Sequence, residues 1–222
     1  MINTRACALC ATPCSPPFRA PPPQLSPDLD LRPGEPTRST IGRWLQSCEG
    51  CGAVAPDLAR LPPEVIEIVE SEAYLSLAAR PPGATPFLRW AMLCREGDRS
   101  GALLQAAWVA DDAGDDEAAM HYRREAAACW GEPDGIESAL RLIDILRRAH
   151  LLAAAEECAA LVAEGAPDDR AMQILNFERA RIAERDTGRH LMSSALKPPA
   201  RMPHVAHGRT EKKGFFSRLF GS

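Results

Sequence analysis

Aromatic side chains are scarce, at 5% of 222 residues, and no stretch approaches 18 consecutive apolar positions. The first shortage, set against 45% apolar residues and frequent alanine runs, favours close-packed helices over a β-sandwich. The second excludes a membrane-spanning helix of ordinary length. No apolar run follows a positive start at the N-terminus, so a secretory signal is not expected and the chain is expected to be cytoplasmic. Motifs of catalysis are missing as well: there is no phosphate-cradling glycine loop, no G-x-S-x-G and no H-E-x-x-H. His121, His150 and His190 stand at no spacing that suggests a nucleophile and its base, and Asp111-Asp112 and Asp115-Asp116 read as helix ends and caps. An enzyme is therefore not expected.

The net charge of -4 is unevenly spread. Residues 1–60 hold 6 basic and 5 acidic groups, residues 61–196 hold 14 and 24, and residues 197–222 hold 6 and 1. Phosphate binding needs clustered Lys and Arg, so the acidic middle argues against nucleic acid as a partner. Only the tail has the charge for a polyanion.

Nine of the twenty prolines fall in the first forty residues, where they remove donors and fix φ, so no long helix is expected there. Leu29–Arg32 and Ser39–Leu45 are β-capable pieces that could form a small hairpin. From Leu61 the pattern turns helical. Pro62-Pro63 opens a helix carrying Val65, Ile66, Val69, Ala73 and Leu77 on one face to about Ala79. Thr85-Pro86 opens a second, through Trp90 and Leu93, with its stop at Gly97. Ser100 is a candidate cap for a third, which ends at Gly114; Asp115 starts a fourth, which the glycines and proline of residues 131–135 end. Helices over Ile136–Ala149 and Leu151–Glu164 follow, then one from Asp168 to about Arg185.

Laying Gly114–Ala119 over His150–Ala155 gives an offset of 36 residues, close to the tetratricopeptide period of about 34. Gly114-Asp115-Asp116-Glu117-Ala118-Ala119 with Tyr122 and Ala126 resembles the second half of such a repeat, although Trp108 is not where the family's tryptophan falls. The fold class expected is mostly α, antiparallel helix pairs of tetratricopeptide-like type behind a small irregular zinc-ribbon-like module; a plain alanine-rich bundle is the alternative. The expected units are 1–60, 61–187, a linker 188–211 and a basic amphipathic tail 212–222. In such an array a protein partner would lie in a groove around Trp90, Trp108, Tyr122 and Arg148.

Eight cysteines in a reducing compartment are read for metal before disulfides. Cys7-Ala-Leu-Cys10 and Cys48-Glu-Gly-Cys51 are two C-x2-C units, each able to turn two thiolates toward one point. Four thiolates around Zn2+ close its coordination, so the expected ion is structural and would pin the proline-rich region. Gly52 can take the left-handed turn that follows such a pair. Cys14 could replace Cys7, and buried thiols or a redox pair remain alternatives; for the function, a protein-interaction scaffold is expected, with a zinc-ribbon nucleic-acid-binding module or a thiol redox protein as the alternative. Cys94, Cys129 and Cys158 read as core thiols on apolar helix faces.

These cysteine pairs, with Pro27-Asp28-Leu29-Asp30-Leu31-Arg32-Pro33, Arg38-Ser39-Thr40 and Ala55-Pro56-Asp57-Leu58, carry a resemblance. The chain resembles an uncharacterised bacterial family, a domain of unknown function, that joins a zinc-ribbon-like start to tetratricopeptide-like helices. The resemblance implies metal binding at Cys7, Cys10, Cys48 and Cys51 and no known reaction. Cys14 and the prolines of residues 13–23 depart from it.

In the tail, Phe215, Phe216, Leu219 and Phe220 fall on one face of a notional helix, with Lys212, Lys213 and Arg218 opposite. The segment is similar to the C-terminal membrane-targeting helix of the Min-system ATPase and to the N-terminal segment of some signal-recognition-particle receptors. That implies weak, reversible attachment to an anionic membrane surface, peripheral on its inner face. The same phenylalanines could instead dock on the protein's own body or on a partner. His204 and His207, in the proline-containing tether, read as a solvated pair.

Overall fold

The computed structural model describes residues 5–197, so the membrane-contact residues expected in the tail (Lys212, Lys213, Phe215, Phe216, Arg218, Leu219, Phe220) and most of the linker lie outside the described residues. The described chain is mostly helical, with a small irregular N-terminal region around a cysteine cluster. A two-stranded antiparallel hairpin, β1 (Gln46–Ser47) and β2 (Val54–Ala55), pairs Gln46 with Ala55 and Ser47 with Val54. The helices follow: α1 (Ile66–Val69), α2 (Glu72–Leu75), α3 (Thr85–Leu93), α4 (Glu96–Ala113), α5 (Asp116–Ala128), α6 (Ile136–Arg148), α7 (Leu152–Glu164), α8 (Asp169–Ala183) and α9 (Met192–Ala195).

Three local expectations need correction. The strands are not Leu29–Arg32 and Ser39–Leu45. Residues Arg38–Arg43 form a 3-10 turn instead, because side chains satisfy its backbone: Glu35 accepts from the amide and hydroxyl of Ser39, and Thr40 donates its hydroxyl to Thr37 O at 2.6 Å. The helix expected over residues 62–79 is broken into α1 and α2 at Ser71. That residue is extended (ψ 147°) and its hydroxyl both accepts from Tyr74 N at 3.3 Å and donates to Ile68 O at 2.7 Å. The break delivers Tyr74 to the hairpin, where its hydroxyl accepts from Val54 N (2.9 Å) and donates to Gly52 O (3.3 Å). Finally, α3 stops at Leu93 and α4 begins at Glu96, so Gly97 and Ser100 lie inside α4 rather than bounding it.

From there the helix boundaries follow the sequence closely. Asp115 and Asp168 cap α5 and α8 by accepting from the amides of Ala118 (3.1 Å) and Ala171 (2.7 Å). The 36-residue offset has a backbone counterpart. Gly114 and His150 both take left-handed φ, 71° and 61°. After each, the next amide reaches back five residues, Asp115 N to Ala110 O (3.0 Å) and Leu151 N to Leu146 O (2.9 Å). Arg185 (φ 57°) ends α8 in the same way, with Asp186 N donating to Arg181 O at 2.8 Å. Ala119 and Ala155, at equivalent places, are buried, and small residues there let the helices of each pair close up.

Of the residues expected around a groove, Arg148 and Tyr122 each line a surface pocket, but with little exposed area of their own. Trp108, Tyr122 and Arg148 are buried, and Trp90 is half-buried against the cysteine and α4 clusters. With so few large side chains, the fold uses them to fill space between alanine-rich helices. Nor does the N-terminal segment stand apart from the helices. Leu29 joins the core of α6, α7 and α8, and Leu29 N and Met192 N bond to His190 O (3.1 Å) and Pro27 O (2.8 Å), so the segment around residues 27–29 is held against the last described residues.

Candidate metal centre

Each C-x2-C unit is a loop whose backbone bonds leave two thiols pointing the same way. In the first, Cys7 N donates to Thr12 O (2.8 Å) and Ala11 N to Cys7 O (2.9 Å); in the second, Cys48 N donates to Ala53 O (2.8 Å) and Gly52 N to Cys48 O (2.9 Å). The two loops are thus the same turn, and each places its fifth residue in the left-handed region, Ala11 at φ 59° and Gly52 at φ 74°. The sequence signals this at Gly52 but conceals it at Ala11, since alanine seldom adopts that conformation.

The loops face one another. The Sγ atoms of Cys7, Cys10, Cys48 and Cys51 all lie within 4.8 Å of one another, with Cys7 to Cys51 at 3.8 Å and Cys10 to Cys48 at 3.4 Å. Four sulfurs held about 2.3 Å from a tetrahedral ion are separated by about 3.8 Å, whereas a disulfide needs about 2.05 Å. The spacing fits a shared ion, and all eight cysteines are free. Cys14 lies outside this quartet and packs beside it, so the cluster closes without it.

Packing and polar anchors hold the loops in place. Cys7 and Cys48 are buried in a cluster with Ala53, Ala55, Leu58, Leu61, Val65 and Tyr74. Arg5 reaches both carboxylate oxygens of Asp57 at 2.6 Å, and Ala8 N donates to Leu58 O at 3.0 Å. A Cβ added at Gly50 would stand 2.1 Å from Thr12 Oγ1 and 3.1 Å from Cys10 Sγ, so glycine is what lets the second loop approach the first. The four thiols differ in their surroundings. The Thr12 hydroxyl beside Cys10 pulls that exposed thiol down to about 6, whereas burial pushes Cys51 up to about 12 and also raises Cys7. A bound cation would favour the thiolate at every position.

A second polar centre was not legible as such in the sequence. Asp30 is fully buried and its Oδ2 accepts from Trp108 Nε1 (3.0 Å), Arg123 (3.1 Å) and Arg148 (3.0 Å), while its backbone carbonyl accepts from Arg141 Nε (2.9 Å). Asp111 takes two further bonds from Arg123 (3.0 and 2.6 Å) and one from Arg148 (2.8 Å), and Asp112 pairs with Arg32 and Arg38. Asp111 and Asp112 are therefore ion-pair acceptors rather than mere helix-end residues. Burial pushes the Asp30 carboxyl up, but Arg148 and Arg123 outweigh it and hold the group at about 2. The only sequence trace of this centre is the Asp28-Leu29-Asp30-Leu31-Arg32 segment, whose charges gave no hint of burial.

A third cluster is short of positive charge. Arg147 pairs with Asp144 and with Glu178 (2.8 Å), all three being buried. Burial, then the Asp144 carboxylate, pushes Glu178 up to about 8. Burial also raises Asp144 against the pull of Arg147 and Arg148, so the environment of the pair favours its protonated form.

Among the described residues no helix is long and apolar enough to cross a membrane. No protein family, curated protein or solved structure matches this chain.

Proposed function

We propose that the protein is a non-enzymatic, helical protein-interaction scaffold whose N-terminal region is pinned by one structural Zn2+ on Cys7, Cys10, Cys48 and Cys51. The carrying observation is the convergence of four sulfurs, within 4.8 Å, from two loops of identical backbone design. Among metals that take four thiolates in a tetrahedral site, zinc supplies coordination without redox chemistry. With every position a sulfur, no place remains for a reacting water. Recurrence of the same helix-ending turn at Gly114, His150 and Arg185 supports stacked helix pairs, an architecture that presents extended surfaces to protein partners.

Protein purified without chelator is expected to carry about one equivalent of zinc, and the Cys48→Ser variant to lose it. Cys14→Ser should keep it. A metal-free chain with Cys10 and Cys48 joined as a disulfide would overturn the structural-zinc reading and make the cluster a thiol redox centre.

A further inference from the structure

A cleft of about 380 Å³ opens between α6, α8, α9 and the turn at residues 29–31, walled by Leu29, Leu31, Ile136, Leu140, Ile174 and Met192. Its size is that of an ordinary ligand pocket, about 300–1,000 Å³. Leu31 stands on its rim, 46% exposed, with φ at 65°. A side chain other than glycine holds that conformation only under strain, and here the strained residue presents apolar surface to solvent at an apolar opening.

The path of the chain indicates what covers it. Leu196 packs on the same apolar cluster as Ile174 and Leu140, and Lys197 N donates to Gln173 Oε1 on α8 at 2.8 Å. The described chain therefore ends against α8, the helix whose Ala171 and Ile174 line the cleft. Beyond it come Phe215, Phe216, Leu219 and Phe220, four large apolar residues within six positions. Phe215 lies 18 residues beyond Lys197, and a chain reaches at most about 3.3–3.6 Å per residue, so the length suffices to return to the cleft. The charges lining the cleft are balanced, Glu137 and Asp168 against Arg141 and Arg170, so the electrostatic attraction comes from the wider acidic excess of residues 61–196, 24 acidic groups to 14 basic, toward the 6 basic groups and 1 acidic of residues 197–222. An attached segment also acts at an effective concentration in the millimolar range, which compensates for a small contact.

We propose that the Phe215–Phe220 segment docks in this cleft of its own chain, as an intramolecular plug. The reading is independent of the metal centre, because no cysteine lines the cleft.

The test uses full-length protein with benzoylphenylalanine at position 216, irradiated at low micromolar concentration and mapped by mass spectrometry. Cross-links in the monomer band to residues 136–141, 168–174 or 192 are expected. Leu31→Asn, which removes apolar rim while keeping a residue that tolerates positive φ, should reduce their yield at least threefold with the helical circular dichroism unchanged. Body cross-links confined to the dimer band would assign the segment to a second copy. Absence of body cross-links, with or without capture of the probe by phosphatidylglycerol vesicles, would assign it elsewhere, and either result overturns the proposal, as does an unchanged yield in Leu31→Asn.

Discussion

Gly50 is the residue where the metal centre is most exposed to a single change. Its missing side chain is the space that Thr12 Oγ1 and Cys10 Sγ occupy, so Gly50→Ala forces the two cysteine loops apart. We expect that variant to weaken metal affinity at least tenfold in a competition titration with a chromogenic chelator. Gly52→Ala makes a useful contrast. Its Cβ would meet nothing within 4 Å, so only the left-handed φ of 74° penalises it, at about 1 kcal/mol. Asp30 shows the same dependence on surroundings with charge in place of volume. Asp30→Asn keeps the shape but leaves Arg123 and Arg148 with less negative charge in a buried site. Breaking a buried ion pair costs about 3–5 kcal/mol, so a large fall in the urea midpoint is expected, and a change under 1 kcal/mol would show that Asp111 alone suffices.

At the scale of elements, helix ends were the most readable feature, because capping depends on a few neighbouring residues. Asp115 and Asp168 cap where their side chains predict, and Gly114 ends α4 in the conformation glycine favours. His150 performs the role of Gly114 with a less suitable residue. His150→Gly is therefore expected to stabilise the protein by about 0.5–1 kcal/mol in thermal unfolding, the relief of left-handed strain exceeding the entropy of a freer unfolded chain. Destabilisation by that variant would mean that the imidazole makes a contact worth more than the strain. The breaks that sequence misplaced, at Ser71 and at Cys94–Arg95, lie where helix periodicity continues on both sides. Tyr74 bonding to the hairpin decides the first, and no local pattern announces a partner twenty residues away.

For the molecule as a whole, the buried charges make stability depend on pH in two opposing directions. Glu178 has its pKa raised to about 8, so between the usual glutamate value of 4.5 and about 8 the unfolded chain has released a proton that the folded chain keeps. Stability from this group is thus lost as pH rises through that window, with a slope of up to about 1.4 kcal/mol per pH unit. Asp30 works the other way. Its pKa is lowered to about 2, and its contribution, present above the usual 3.8, is lost as pH falls toward 2. Denaturant titrations of Glu178→Gln from pH 5 to 8 should give a flatter profile than the wild type, and identical slopes would show that the Arg147 cluster carries no retained proton.

The sequence by itself determined the helical class, the boundaries of α5 to α8 and the two C-x2-C units, because periodicity, caps and cysteine spacing are short-range properties; that Cys7 rather than Cys14 completes the cluster was left to the tertiary structure. Only the tertiary structure decided that the cysteine loops meet, that Trp108, Tyr122 and Arg148 are interior, and that Asp30 lies at the focus of three helices. Burial and the pairing of charges depend on which distant segments come together. A proline-rich strip laid across a helical body leaves no periodic trace of where its carboxylates will land.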